Sequence, residues 1–420
     1  MNWQHLFAGR TRQMKRTAVR ELLKLTAQPG MISFAGGLPA PELFPIDQVK
    51  QAAEAVLSRI GQQALQYGET EGVAELRDWI AAQFSHSHFR LTRANVGIVS
   101  GGQQALDLIG RVLLDERDKV VVENPTYLAL LSAWRPLGVQ FLPVQSDANG
   151  MRVDELESLL QQRPKLIYSL PNFQNPQGTT LALERRVKLV ELSRQHDVGL
   201  VEDDPYGELR YSGDPLPHLL ELDIQAGCSG TRDTSADGGT VRTETPRFLP
   251  CDGSVIHVGT FSKVLVPGLR VGWVIAGEPV IEKIVQAKQA ADLHTSTLNQ
   301  YIALELVRDG VLDQQIPILR QAYRVRRDAM LVALQKYFPA EVTWTRPDGG
   351  MFLMVTLPKG LSAAEILQQS IPHKVAFVPG EDFHLNGNGQ NTFRLNFSNA
   401  RPDLIDEGIK RLGIVLKRLF

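Results

Sequence analysis

The residues best suited to chemistry lie in Val258-Gly259-Thr260-Phe261-Ser262-Lys263 and in Pro267-Gly268-Leu269-Arg270-Val271-Gly272-Trp273. A lysine follows a strand-like apolar run and two small hydroxyl residues, and an arginine stands seven positions later between glycines. That pattern suits an amine held as an imine and a guanidinium that clamps a phosphate.

A phosphate also needs backbone amides, and these can come from the start of a helix. Val96-Gly97-Ile98-Val99 runs into Ser100-Gly101-Gly102-Gln103, where two glycines permit a tight turn and Gly102 and Gln103 offer free N–H groups. Thr260, Ser262 and Arg270 would close that cage from the other side. Val201-Glu202-Asp203-Asp204-Pro205-Tyr206 places carboxylates at a strand end. Asn175, in Asn172-Phe173-Gln174-Asn175-Pro176-Gln177-Gly178, is a possible donor, although such dipeptides also make plain turns. Tyr127 follows another strand. Arg394, in Phe393-Arg394-Leu395-Asn396-Phe397, sits in an apolar strand where an unpaired guanidinium would be costly. A carboxylate is its natural partner, from a substrate or from the protein itself.

Taken together, these segments resemble the pyridoxal-phosphate enzymes of fold type I, the aspartate aminotransferase fold. The resemblance is greatest to the bacterial 2-aminoadipate aminotransferases, through Arg20-Glu21-Leu22-Leu23-Lys24-Leu25-Thr26, Phe34-Ala35-Gly36-Gly37-Leu38-Pro39, Ala64-Leu65-Gln66-Tyr67 and Gln286–Thr295. It implies that Lys263 holds pyridoxal 5′-phosphate as an imine and later moves a proton. Asp203 would meet the ring nitrogen, Tyr206 and Asn175 the phenolic oxygen, and Tyr127 the ring face. Gly101, Gly102, Gln103, Thr260, Ser262 and Arg270 would take the phosphate, joined by Tyr67 across a homodimer interface. Arg394, Asn175 and Gly37 would meet the substrate carboxylate, and Arg20, on a mobile N-terminal helix, the distal carboxylate of an acidic substrate. One departure is Gly102, where relatives often carry serine, so that only an amide remains there.

The elements that must position these residues follow from periodicity. Candidate strands are Val96–Val99, Lys119–Val122, Phe141–Val144, Leu166–Leu170, Gly199–Glu202, Val255–Gly259 and Val271–Ile275, with helical patterns such as Gln103–Leu114, Leu183–His196 and Pro279–Ala291 among them. Strands apolar on both faces and alternating with helices predict an α/β fold built on a mostly parallel sheet. In such sheets ligands bind at the carboxyl ends of the strands, where most of the residues above fall.

Residues 1–50 read as an arm containing one basic helix near Thr17–Leu25, residues 51–297 as a large domain, and residues 298–420 as a smaller α+β domain. The latter is expected to contain a helical stretch broken near Gly310 and Pro317, strands at Lys374–Val378 and Phe393–Asn396, and a closing helix Pro402–Leu419. Residues 226–252 are polar, rich in Gly, Ser and Thr, and without periodicity, which predicts a surface insertion.

At 420 residues with 43% apolar and 22% charged residues, the chain can bury a large core. Its net charge of −1 suggests no nucleic-acid or membrane partner. No run is long enough to span a membrane, the first residues lack a signal-peptide core, and Cys228 and Cys251 are too few for a disulfide framework. A cytoplasmic protein with free thiols is expected. No metal motif is present, and His86 and His88 read as a solvated loop. The favoured function is amino transfer between an amino acid (2-aminoadipate, glutamate, leucine or aromatic) and a 2-oxo acid. Two other readings stay open: the effector-sensing part of a transcription regulator, and a decarboxylase or β-lyase on the same cofactor.

Overall fold

A computed structural model describes residues 1, 3–14, 29–86, 89–229, 247–248 and 253–419. The expected basic helix with Arg20, His88 and Cys251 lie outside these residues, as does the side chain of Cys228.

The central sheet has eight strands: β1 (Val96–Val99), β2 (Lys119–Asn124), β3 (Gln140–Asp147), β4 (Gly150–Met151), β5 (Leu166–Ser169), β6 (Gly199–Asp203), β7 (Val255–Thr260) and β8 (Gly272–Ile275). Their order is β1-β8-β7-β6-β5-β2-β3-β4. Pairing is parallel from β7 through β6, β5 and β2 to β3, while β8 runs antiparallel to both β7 and β1. β1, β5 and β8 are buried along their whole length, as strands covered on both faces must be. Several strands run one or two residues past their apolar cores. β2 reaches Asn124 and β6 reaches Asp203, because the ladder continues through buried polar residues.

Helices α1 (Ile46–Ala64), α2 (Ala74–Gln83), α3 (Gly102–Leu113), α4 (Leu128–Trp134), α5 (Leu156–Leu160), α6 (Leu183–Gln195), α7 (Leu219–Ser229) and α8 (Glu278–Ala291) accompany this sheet. Helix α7 carries regular structure four residues into the expected insertion, to Ser229. Arg247–Phe248, near its far end, pairs in parallel with Phe89–Arg90. The insertion is therefore narrower than its composition suggested.

A second, antiparallel sheet contains β9 (Thr343–Trp344), β10 (Phe352–Thr356), β11 (Val378–Pro379) and β12 (Thr392–Asn396), in the order β9-β10-β12-β11. With it run α9 (Thr297–Arg308), α10 (Val311–Tyr337), α11 (Ala363–Ser370) and α12 (Pro402–Leu416). The break expected at Pro317 is absent, and α10 passes through it unbroken. Pro317 is exposed, as is Asp313 four residues before it, so the carbonyl left without its N–H partner can meet water. Gly310, by contrast, ends one helix and opens the next in the left-handed conformation, with φ +70°. The expected strand Lys374–Val378 is two short ones: Val375–Ala376 pairs with Ile32–Ser33, and β11 pairs with β12.

The N-terminal passage threads across this second sheet. Phe34, fully buried, accepts a hydrogen bond at its carbonyl from Asn396 N (2.9 Å), and Ser398 Oγ donates to Leu38 O (3.0 Å). Those contacts bring Gly37 beside the carboxyl ends of the central strands.

Candidate active site

Lys263 closes a short 3₁₀ turn, Phe261–Lys263, immediately after β7. The turn is capped by Thr260, whose Oγ1 accepts from Ser262 N (3.1 Å) and lies 3.0 Å from Ser262 Oγ. The lysine Nζ donates to Gly37 O at 2.9 Å. Burial, reinforced by the positive charges of Arg270 and Arg394, lowers its pKa to about 8. An amine in that position is partly free near neutral pH and therefore nucleophilic.

Asp203 ends β6, next to β7, with its register partner Val258. It is buried, accepts a hydrogen bond from Tyr168 Oη (2.6 Å), and is paired with no cation among the described residues. Burial raises its pKa to about 7 and outweighs the Tyr168 hydrogen bond, which acts the other way. A buried carboxyl in this state gains most from a cationic partner placed in the cavity.

Arg394 lies in β12 opposite Met354. Its guanidinium donates to Asn175 Oδ1 (2.7 Å) and to Ala35 O (2.7 Å), while its buried Nε has no partner among the described residues. The rings of Phe352 and Phe383 flank it at 4.2 Å and 5.3 Å. Among the described residues no carboxylate pairs with it, which leaves a buried positive charge facing the cavity. Burial pulls its pKa down to about 10.

The turn between β1 and α3 supplies the anion cradle. Gly101 has φ +85°, and a Cβ there would stand 2.5 Å from Arg270 Nη2, so only glycine lets the guanidinium come this close. Arg270 Nη2 donates to Ser100 O (3.0 Å), and the first amides of α3 belong to Gly102 and Gln103. Tyr127 caps α4, and its pKa is pushed up to about 12 by burial and by the charge of Asp203. Tyr206, also buried, lies edge-on to Phe352 at 6.0 Å. Its pKa is raised, chiefly by burial.

Lys263, Asp203, Tyr206, Asn175, Tyr127, Gly102, Gln103, Thr260, Ser262, Arg270, Arg394 and Gly37 all line one cavity of about 470 Å³. Gly101 stands directly behind it. Tyr67 does not join them within the protomer. It is 78% exposed and packs edge-on against His294 at 5.8 Å.

Sequence reasoning missed Tyr168, Phe352 and Phe383. Tyr168 was visible as a hydroxyl beside Ser169 in an otherwise apolar strand, whereas the two phenylalanines carry no signal apart from the fold. The residues present fit a phosphorylated pyridine aldehyde. Arg270, a glycine that admits it and helix amides can take the phosphate; Asp203, with no cation paired to it among the described residues, can take a ring N–H; and Lys263 lines the same cavity.

The family model for aminotransferase class I and II matches residues 32–412. Aromatic-amino-acid aminotransferase 1 of Thermococcus litoralis is 41% identical over 99% of this chain and 95% of its own. The 2-aminoadipate transaminase of Thermus thermophilus is also 41% identical, over 100% and 98% of the two chains. The crystal structure of an α-aminoadipate aminotransferase from Thermus thermophilus, complexed with N-(5′-phosphopyridoxyl)-L-leucine, superposes with a TM-score of 0.89. It shares 40% identity and covers 100% of this chain and 99% of its own. This chain belongs to the class I and II aminotransferases, as a pyridoxal-phosphate-dependent enzyme of fold type I.

Proposed function

We propose that the enzyme moves an amino group between an L-amino acid and a 2-oxo acid such as 2-oxoglutarate, with 2-aminoadipate and glutamate first among its donors and leucine and aromatic amino acids next. The observation that carries this reading is the buried guanidinium of Arg394, which lines the same cavity as the amine of Lys263 and has no carboxylate paired to it among the described residues. Pyridoxal phosphate, when bound, supplies an aldehyde for the amino group and a ring that stabilises negative charge at Cα.

Each residue then has a task. Gly101, Gly102 and Gln103, with Thr260, Ser262 and Arg270, hold the phosphate. Asp203 would keep the ring nitrogen protonated, supported by its hydrogen bond from Tyr168. Tyr206 and Asn175 would donate to the phenolic oxygen, and Tyr127 would cover one ring face. Arg394 and Asn175 grip the substrate α-carboxylate beside the Gly37 backbone, which fixes the Cα–H toward Lys263. The amine of Lys263 would serve as the base that takes the proton from the substrate Cα and as the acid that gives it back. The aromatic rings around Arg394 exclude water and strengthen its hold on the carboxylate.

We also read the protein as a cytoplasmic homodimer in which the exposed Tyr67 reaches the phosphate site of the second protomer. No helix among the described residues is long and apolar enough to cross a membrane. Residues 1–50 are taken as the arm, 51–297 as the large domain and 298–420 as the small one. The arm's hydrogen bonds to the second sheet support the first of these divisions.

Two measurements follow. Tyr168→Phe is expected to lower kcat by about threefold to tenfold, the worth of one hydrogen bond of about 1 kcal/mol to a buried carboxylate. Because that bond holds the Asp203 pKa down, the variant's rise in cofactor affinity with pH should move to higher pH; an unchanged profile would show that Tyr168 only packs. For the donor, kcat/KM measured with 2-aminoadipate, glutamate, leucine and phenylalanine should fall in Arg20→Ala by about tenfold or more for the two acidic substrates and little for the others. An equal fall for all four, or none, would remove Arg20 from substrate choice.

A further inference from the structure

We infer that Glu202, His218 and His257 form a site for one divalent transition-metal ion of the zinc class, on the face of the central sheet opposite Asp203. Successive residues of a strand point to opposite faces, so Glu202 turns away from the cavity that Asp203 lines. The parallel register of β6 and β7 sets His257 directly beside Glu202, with Nδ1 at 3.0 Å from Oε2. His218, at the entry to α7, brings its own Nδ1 to 3.6 Å from Glu202 Oε1 and 3.4 Å from Asp204 Oδ2.

The donor atoms of Glu202, His218 and His257 all lie within 4.8 Å of one another. Around a tetrahedral ion with arms of about 2.0–2.2 Å, neighbouring donors stand about 3.4 Å apart, so the cluster needs only modest adjustment. Two imidazoles and a carboxylate are the borderline donor set that zinc and cobalt prefer over magnesium or calcium. Asp204 or a water completes the shell.

Other features fit a built site. Among the described residues the buried Nδ1 of His218 meets no well-aligned hydrogen-bond partner, although carboxylate oxygens of Glu202 and Asp204 stand 3.6 Å and 3.4 Å away. Glu202 is held in place by the amides of Leu219 (2.7 Å, to Oε1) and Leu220 (3.1 Å, to Oε2), which leaves Oε1 a lone pair for a further partner, while Oε2 also meets His257 Nδ1. Phe84 packs against both imidazoles, at 5.2 Å and 4.7 Å, which fixes their orientation. His218 also borders two surface cavities of about 420 Å³ and 280 Å³, and these give an ion a way in. The ion would tie together β6, β7 and the start of α7, and so stiffen the strand end that presents Asp203. Its role is a brace, outside the reacting atoms.

The test uses the holoenzyme, stripped with chelator and then dialysed against cobalt(II), beside the variant His218→Gln/His257→Gln. Wild type is expected to retain one cobalt per chain, to show visible d–d bands, and to gain about 2–4 °C in Tm with excess metal. The double variant should lose the bands and the gain while keeping its cofactor absorbance and its transamination. Should the double variant fail to fold, His218→Gln alone, whose side chain is partly exposed, is expected to lose most of the retained cobalt. No cobalt retained by wild type, or equal retention by wild type and variant, would overturn the site and leave a hydrogen-bonded Glu–His cluster in its place. Neither outcome touches the aminotransferase reading.

Discussion

Lys263→Ala is expected to lower kcat for amino transfer by at least about 10⁴-fold, the upper range for losing a positioned acid–base group. The side chain has two tasks that no neighbour can share. Of the other charged groups lining the cavity, the guanidinium cations of Arg270 and Arg394 offer no lone pair to take a proton from Cα, and Asp203 is assigned to the ring nitrogen. Cofactor should still enter the variant, because the phosphate cradle of Gly101, Gly102, Gln103 and Arg270 is intact, but it should dialyse away more readily. Single-turnover mixing of cofactor-loaded variant with an amino acid checks this. A rate within tenfold of wild type would assign the proton transfer to another group.

Arg394→Lys carries the second large effect. The substitution keeps a positive charge but loses the planar fork and its bond to Asn175. Loss of one charge-assisted, desolvated contact is worth about 2–3 kcal/mol, so kcat/KM for every amino-acid donor should fall by about 10²-fold. Most of the loss should appear as a higher KM, since the carboxylate is gripped before and during the reaction alike. Steady-state kinetics with several donors, together with the unchanged absorbance of bound cofactor, separates this from misfolding. A loss confined to acidic donors would instead place Arg394 at the distal carboxylate.

The sheet was legible in the sequence because its strands are short apolar runs separated by amphipathic helices, and burial on both faces leaves that trace. Strand ends were less legible. Glu123, Asn124 and Asp203 look like loop residues by composition, yet they are buried and extend the ladder, because neighbouring strands and side chains satisfy them. Pro317 misled in the opposite sense: its place on a partly solvated stretch of helix removes most of its cost.

The polar half of the site could be named in advance because each residue needed a particular chemistry at a strand end. Phe352 and Phe383 could not, since an apolar wall is defined only by what it faces. The Glu202–His218–His257 cluster was equally hidden, as its members are far apart in the chain and only the β6–β7 register and the entry to α7 bring them together. Tyr67 sits where the resemblance put it in sequence, but within one protomer it faces outward.

The most direct test of the central claim is the absorption spectrum of the purified enzyme during titration with 2-aminoadipate, glutamate, leucine, phenylalanine and alanine in turn. The predicted result is a yellow enzyme whose visible band is bleached to a pyridoxamine-type spectrum by at least one of these, and restored by 2-oxoglutarate. Bleaching without restoration, accompanied by release of carbon dioxide or ammonia, would contradict amino transfer. A colourless protein that stays colourless with added pyridoxal phosphate would contradict the cofactor site itself.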